Sequence, residues 1–215
     1  MYLLKILTNL GLFILFINLV LYSIGFAKNG KAYKFFVVYI ISLFLINVIT
    51  EIYAILNINN HFLATYYLFC PFLLLSFFYY YLFARVNKKK QLFIKFSAGI
   101  FAALLAMQYM VDPGQYFKFN SIGLLVTNCL VSVYAVLYLF ELLSGKLPFQ
   151  YATIGICIYF ISSALIFASA TSIVSFNVEI SMFIWKINAS LFIVYQLLIL
   201  WEWKQTFYLT QKKQG

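Results

Sequence analysis

The stretch FFVVYIISLFLINVITEIYAILN, Phe35–Asn57, decides the fold class, and Glu51 is its one charged residue. At about 1.5 Å per residue, a helix of this length crosses the roughly 30 Å hydrocarbon core of a bilayer. The stretch shows no period-2 alternation, which disfavours a strand of a membrane barrel. Since backbone groups in lipid are satisfied only in helices or closed barrels, it predicts a transmembrane α-helix.

Working outward from this stretch, similar apolar runs recur along the chain and are separated by turn or charge signals. The breaks carry KNGK at Lys28–Lys31, NINN at Asn57–Asn60, RVNKKK at Arg85–Lys90, DPGQ at Asp112–Gln115 and SGKLP at Ser144–Pro148, with the weakest break at Ser175–Glu179. The predicted spans are Leu10–Ala27, Phe35–Asn57, Phe62–Ala84, Leu92–Val111, Ser121–Leu143, Phe149–Ile173 and Ile180–Trp203. The prediction is an all-α polytopic membrane bundle of about seven helices, forming a single domain over residues 1–215.

The composition excludes an ordinary soluble domain and makes the lipid bilayer the first partner. The chain is 65% hydrophobic and 9% charged, whereas roughly a quarter of the residues of a soluble domain are charged. A net charge of +10 would indicate nucleic-acid binding in a soluble protein. Here the lysines lie in short loops between apolar runs, so membrane orientation explains them and no nucleic-acid partner is predicted.

The distribution of basic residues predicts that the N-terminus is outside and the C-terminus is cytoplasmic. In that orientation only Lys5, Lys118 and Lys186 of the 15 basic residues lie on the outer side. One alternative is a cleavable signal peptide, because an apolar run follows Lys5 and ends at Gly25-Phe26-Ala27. Cleavage would place the lysines of the first loop outside, against the same rule.

The sequence offers little for catalysis or metal binding. His61 is the only histidine and lies in a predicted loop, and the three cysteines fall in apolar stretches without a CxxC motif. We therefore predict no enzyme, no metal and no cofactor. A retinal-binding protein, suggested by Lys186 in the seventh helix, is disfavoured because the third helix has no carboxylate counter-ion.

Polar residues at membrane depth form the candidate site, since ionisable groups there require a partner or a water-filled cavity. Glu51 and Lys186 lie at matching depths, about 9 Å below the outer end at 1.5 Å per residue, and we expect them to meet inside the bundle. Whether they act as a structural clamp, line a ligand pocket or each reach separately to the interface stays open. The candidate intramembrane polar cluster consists of Asn47, Thr50, Glu51, Tyr66, Tyr67, Asn128 and Lys186. Any small ligand is expected in this outer half.

Charged residues near the predicted cytoplasmic face receive a different interpretation. Arg85, Lys88, Lys89 and Lys90 form a candidate basic loop, which could dock a protein partner or simply set the topology. Glu141 and Glu202 lie near helix ends beside lysines, and their positions require no functional explanation.

One segment resembles a known group of proteins. The run from Asn47 to Tyr81, with its Asn-rich turn, Tyr67 and aromatic third helix, resembles a segment of small seven-helix membrane proteins of Bacteroidota. That group is uncharacterised and is often compared with the membrane sensor parts of histidine kinase systems. The likeness covers about a sixth of the chain, implies no particular functional residue, and implies location in a bacterial inner membrane.

Three functions are compatible with these features of the sequence. The favoured one is a receptor-like or sensor-like component that acts through a separate partner, because the chain has no output domain of its own. A small-solute transporter or channel is the second, although no inverted repeat or pair of broken helices is evident. A structural or assembly subunit is the third.

Overall fold

A computed structural model describes residues 2–173 and 178–208 of the chain. Its helices are α1 (Tyr2–Ile24), α2 (Lys31–Ile55), α3 (Leu63–Phe83), α4 (Lys88–Val111), α5 (Ser121–Leu142), α6 (Gln150–Ile173) and α7 (Val178–Glu202). A short 3₁₀ helix, Pro113–Phe117, precedes α5, and a turn of π-helix, Trp203–Tyr208, follows α7. All seven long helices contain windows long and apolar enough to cross a membrane, which confirms the predicted fold class.

Several predicted helix boundaries differ from the structure by a few residues, and the start of α1 differs most. Helix α1 begins at Tyr2 rather than Leu10, because its polar residues stay helical and Thr8 donates a hydrogen bond to the Leu4 carbonyl. Helix α4 begins at Lys88 rather than Leu92, because the Asn87 side chain accepts a hydrogen bond from the Lys90 amide and caps the helix. The predicted break at Ser175–Glu179 lies partly outside the described residues.

Because seven spans alternate in direction, the odd-numbered helices begin at one end of the bundle and the even-numbered helices end there. We name this the cavity end; its described part includes the Asn57–Asn60 turn, His61 and Phe119. The opposite, basic end carries Lys28–Lys31, Arg85–Lys90 and Ser144–Pro148. Neighbouring pairs α5–α6, α2–α3, α6–α7 and α1–α7 form most of the packing, whereas α4 lies at the periphery and buries only Ile94 and Leu105.

A close approach between α6 and α7 uses a small residue. A Cβ atom added to Gly155 of α6 would lie 2.9 Å from the Tyr195 ring of α7. The missing side chain lets α6 and α7 pack closely, as small residues do between membrane helices. This close pair forms one wall of the site.

The basic end is filled by aromatic side chains. We name Tyr22, Tyr33, Phe36, Phe78, Phe149 and Phe207 the aromatic plug. The Phe149 ring lies 5.0–5.3 Å from the rings of Phe36, Phe78 and Phe207, measured between centroids. Since the plug joins α1, α2, α3 and the segments flanking α6 and α7, it closes the core at this end.

Glu202 completes the packing of the basic end. Its side chain is fully buried, and its carboxylate accepts hydrogen bonds from the backbone amides of Phe149 (2.8 Å) and Tyr151 (2.7 Å). It also accepts from the Ala152 amide and the Thr206 hydroxyl. The carboxylate therefore caps the first turn of α6 from another helix, where unpaired amides and the helix dipole favour an anion.

Candidate ligand-binding cavity

A cavity of about 740 Å³ lies between the helices at the cavity end. Such a volume is within the range of small-molecule sites. Its polar lining residues are Thr8, Tyr39, Asn47, Thr50, Asn60, His61, Tyr67, Asn128, Tyr159, Ser163, Trp185 and Asn188. Among the described residues, the lining contains no Asp, Glu, Lys or Arg; its surface is mostly apolar, with carboxamides, hydroxyls and one imidazole placed along it.

Each wall of the cavity is one face of a regular helix. On α7 the lining residues are Trp185, Asn188, Ala189 and Phe192, which follow the i, i+3, i+4, i+7 spacing of a single helical face. On α2 the face that includes Leu43, Asn47 and Thr50 runs about 16 Å along the axis, counted from Tyr39 at 1.5 Å per residue. The cavity therefore extends from the loops at its mouth well into the bundle.

Two tyrosines form the floor at the deep end of the cavity, where Tyr39 lines it and Tyr195 lies behind Tyr39. The Tyr195 hydroxyl donates a hydrogen bond to the Tyr39 hydroxyl at 3.0 Å, and both side chains are buried. The Tyr195 ring stacks on Tyr159, with ring centroids 5.2 Å apart and planes 9° apart. Deeper in the bundle, the Asn18 amide donates to the side-chain oxygen of Gln196 at 3.0 Å and joins α1 to α7.

Four of the predicted cluster residues line the cavity: Asn47, Thr50, Tyr67 and Asn128. The Asn47 amide donates to the Leu43 carbonyl at 2.8 Å, and the Thr50 hydroxyl donates to the Ile46 carbonyl at 2.7 Å. Both side chains also lie within interaction distance of the Tyr67 hydroxyl. Three helix-borne polar groups thus meet on the α2–α3 side of the cavity.

The opposite side carries a second polar group of residues that the candidate cluster did not include. The Ser163 hydroxyl of α6 donates to the Asn188 carboxamide oxygen of α7 at 3.2 Å, and the Tyr159 hydroxyl lies nearby. The periodic spacing of Trp185, Asn188 and Phe192 is the sequence signal that could have found this wall. His61 and Asn60, assigned only to a loop, lie at the mouth.

Glu51 and Lys186 do not form the expected ion pair. Among the described residues the ion pairs are Lys90–Glu141 (2.8 Å) and Lys118–Asp112 (3.9 Å). Glu51 follows Thr50, and Lys186 follows Trp185, so each lies about 100° round its helix from a residue that faces the cavity. Equal depth in the membrane was therefore not enough to predict a contact. The rotation of each helix about its axis turns both half-buried side chains away from the cavity wall.

Tyr66 also lies outside the cavity. Its side chain is exposed, and its hydroxyl accepts a hydrogen bond of 2.9 Å from the Tyr116 hydroxyl. This bond is the main reason that the pKa of Tyr116 lies above its usual value. Tyr66 and Tyr67 are neighbours in sequence that point to different environments.

The residues of the candidate basic loop also differ in their environments. Arg85, Lys88 and Lys89 are exposed, whereas Lys90 is half-buried and pairs with Glu141 of α5. Glu141 also accepts a hydrogen bond of 3.0 Å from the Asn87 side chain. Lys88, Lys89 and Lys90 belong to the first turn of α4 rather than to a loop.

The described residues contain no group of three or more His, Cys, Asp or Glu side chains that could hold a metal ion. Comparison of the chain with protein-family models, curated proteins and solved structures finds no match. The cavity is therefore the feature from which a function can be argued.

Proposed function

We propose that the chain is a receptor-like membrane protein that binds an uncharged small molecule in the cavity and acts through a separate partner. The observation that carries the proposal is a site of about 740 Å³ whose described lining combines aromatic rings, carboxamides and hydroxyls, with no Asp, Glu, Lys or Arg. A purely structural subunit does not need such a volume, since membrane helices otherwise pack closely.

Binding is favoured over transport by what lies beneath the cavity. The floor of Tyr39 and Tyr195 separates it from the buried residues of the basic end, and the aromatic plug fills the core there. A solute would have to pass both layers to cross the membrane. A receptor needs access from one side only.

The contacts between α6 and α7 offer a route for a signal. Ser163 and Asn188 join the two helices at the cavity, and Glu202 at the end of α7 holds the first turn of α6 at the basic end. A ligand that loosens or tightens the contact between Ser163 and Asn188 acts on two helices that Glu202 joins at the basic end. In the orientation that the basic residues favour, the cavity faces outside and a partner would dock on the cytoplasmic segment that includes Arg85, Lys88 and Lys89.

Native mass spectrometry of protein purified gently from its own membranes tests the proposal. Ala189→Trp places a large side chain in the cavity, whereas Ala103→Trp makes the same change on the exposed face of α4. We expect a bound small molecule on the wild type and on Ala103→Trp, and its loss from Ala189→Trp.

Two results would count against the proposal. One is the absence of any bound molecule on the wild type together with no shift in unfolding temperature across a small-molecule library. The other is equal ligand retention by both tryptophan variants, which would place the molecule outside the cavity.

A further inference from the structure

Asn128 is a buried carboxamide in the cavity wall that has no hydrogen-bond partner among the described residues. Its side chain is 7% exposed, and it faces the cavity from α5. The hydrogen bond found at this residue involves its backbone carbonyl, which accepts from the Ser132 hydroxyl at 2.8 Å.

The other helix-borne asparagines of the cavity differ from Asn128 in this respect. The Asn47 amide group is held by the Leu43 carbonyl, and the Asn188 oxygen accepts from Ser163. These two contacts occupy part of the hydrogen-bonding capacity of both side chains. Asn128 keeps its two N–H donors and its carbonyl acceptor available to a ligand.

The Asn128 side chain faces the open volume of the cavity rather than packed protein, so a molecule in the cavity can reach its carboxamide. A ligand in the cavity would supply the missing partners. The group that matches a carboxamide is one with an acceptor and a donor side by side, such as another carboxamide or a lactam.

The remaining lining constrains the rest of the ligand. Tyr67, Phe160, Trp185 and Phe192 present rings to the cavity, and ring pairs favour stacked or edge-to-face contacts. A charged ligand would lose its hydration in a mostly apolar site, where the described lining holds no Asp, Glu, Lys or Arg and His61 lies only at the mouth. The favoured ligand is therefore flat, aromatic and uncharged.

We propose that Asn128 anchors the ligand, and that the cavity takes an uncharged aromatic molecule that carries an adjacent hydrogen-bond donor and acceptor. This inference rests on the proposed binding function and adds the class of ligand and the residue that selects it. Asn128 contacts the ligand directly, while Tyr67 and Trp185 contribute ring surface.

Three probes with one ring system separate these requirements: naphthalene, 2-naphthamide and 2-naphthoate. Equilibrium dialysis against protein in nanodiscs, with uptake by empty nanodiscs subtracted, gives the affinity for each probe. At neutral pH we expect the order 2-naphthamide, naphthalene, 2-naphthoate from tightest to weakest. The amide should exceed the hydrocarbon by about tenfold, the effect of a net hydrogen-bonding gain.

Asn128→Leu should weaken 2-naphthamide binding by about tenfold and leave naphthalene binding unchanged. Asn9→Leu makes the same change at an exposed position of α1 and should alter neither affinity. Naphthalene binding also reports that the variant is folded. If Asn128→Leu does not fold, Asn128→Ala serves in its place, since the smaller side chain cannot clash.

The outcomes separate the inference from the proposed function. Equal affinities of the wild type and Asn128→Leu for 2-naphthamide would overturn the role of Asn128, because they would mean that only water occupies its carboxamide. Tight binding of 2-naphthoate would overturn the uncharged class. In both cases, loss of naphthalene binding in Ala189→Trp would still uphold the cavity as a binding site. No wild-type binding of any probe would defeat the inference, and the search for a co-purified molecule would then decide the proposed function alone.

Discussion

Two buried polar side chains, one near each end of the bundle, have opposite surroundings. At the basic end, the Glu202 carboxylate is fully buried and accepts hydrogen bonds from three backbone amides and one hydroxyl. At the cavity end, Asn128 is nearly as buried, and its carboxamide has no partner among the described residues. Glu202 joins helices through its carboxylate, whereas Asn128 faces open volume, where its carboxamide can meet a ligand.

Aromatic residues show the same contrast. In the aromatic plug, each ring contacts other rings on several sides, and Phe149 is 3% exposed. Around the cavity, rings such as Phe167 contact neighbours on one side and face open volume on the other. The plug should therefore contribute most to stability, and the cavity rings should contribute to recognition.

The largest expected effect is the loss of Glu202. Glu202→Leu leaves the buried amide of Phe149 and the part-buried amide of Tyr151 without an acceptor. Charge-assisted hydrogen bonds contribute about 1.5–3 kcal/mol each. We expect the free energy of unfolding in detergent, measured by titration with SDS, to fall by about 3–5 kcal/mol, in the range for removing a buried charged partner.

Glu202→Gln is the matched control, because it keeps one acceptor oxygen and a similar shape. It should lose clearly less stability than Glu202→Leu. A wild-type unfolding midpoint for Glu202→Leu would show that water or a rearranged loop satisfies the first turn of α6, and the contrast between the two ends would then fail.

The next effect compares two phenylalanines. Phe149→Ala removes a ring packed on four others and should lower the free energy of unfolding by about 3 kcal/mol. Phe149 also has a φ of 65°, a region in which a side chain costs about 1–2 kcal/mol, and its burial offsets that cost. Phe167→Ala removes a half-buried ring beside the cavity and should lower the free energy by about 1 kcal/mol, because fewer contacts are lost.

Thermal unfolding of the two alanine variants under identical detergent conditions measures this difference. Phe149→Leu, which preserves most of the buried volume, should fall between the wild type and Phe149→Ala. Equal shifts in unfolding temperature for Phe149→Ala and Phe167→Ala would mean that the two ends are packed equally well.

The sequence predicted the helices better than the contacts, and particular residues show why. Continuous apolar runs place all seven helices, since length and hydropathy are local properties. Asn47, Thr50, Tyr67 and Asn128 were found because polar residues in lipid are unusual wherever they point. Glu51 and Lys186 were paired by depth alone, and this failed because the rotation of each helix decides which side chains meet.

Tertiary information was needed for the rest. The role of Glu202 depends on the start of α6, which is 50 or more residues away in the chain. The left-handed backbone of Phe149 has no sequence signal, because glycine or asparagine is the usual residue there. The α7 wall could have been predicted, since Trp185, Asn188 and Phe192 follow helical spacing.

The smallest expected effect concerns the charges of the basic end. Lys90 and Glu141 are partly buried, with side-chain exposures of 27% and 17%, and such a pair contributes about 1 kcal/mol or less. Lys90→Met should lower the free energy of unfolding by about 0.5–1 kcal/mol, and added salt should reduce that difference. Lys88→Met, on the exposed side of the same turn, should change stability by less than about 0.3 kcal/mol. Equal losses for the two variants would show that the positive charge of the whole segment stabilises the fold. A loss confined to Lys90 would leave the exposed residues Arg85, Lys88 and Lys89 for orientation in the membrane or for a partner, because they would then do little to hold the bundle together.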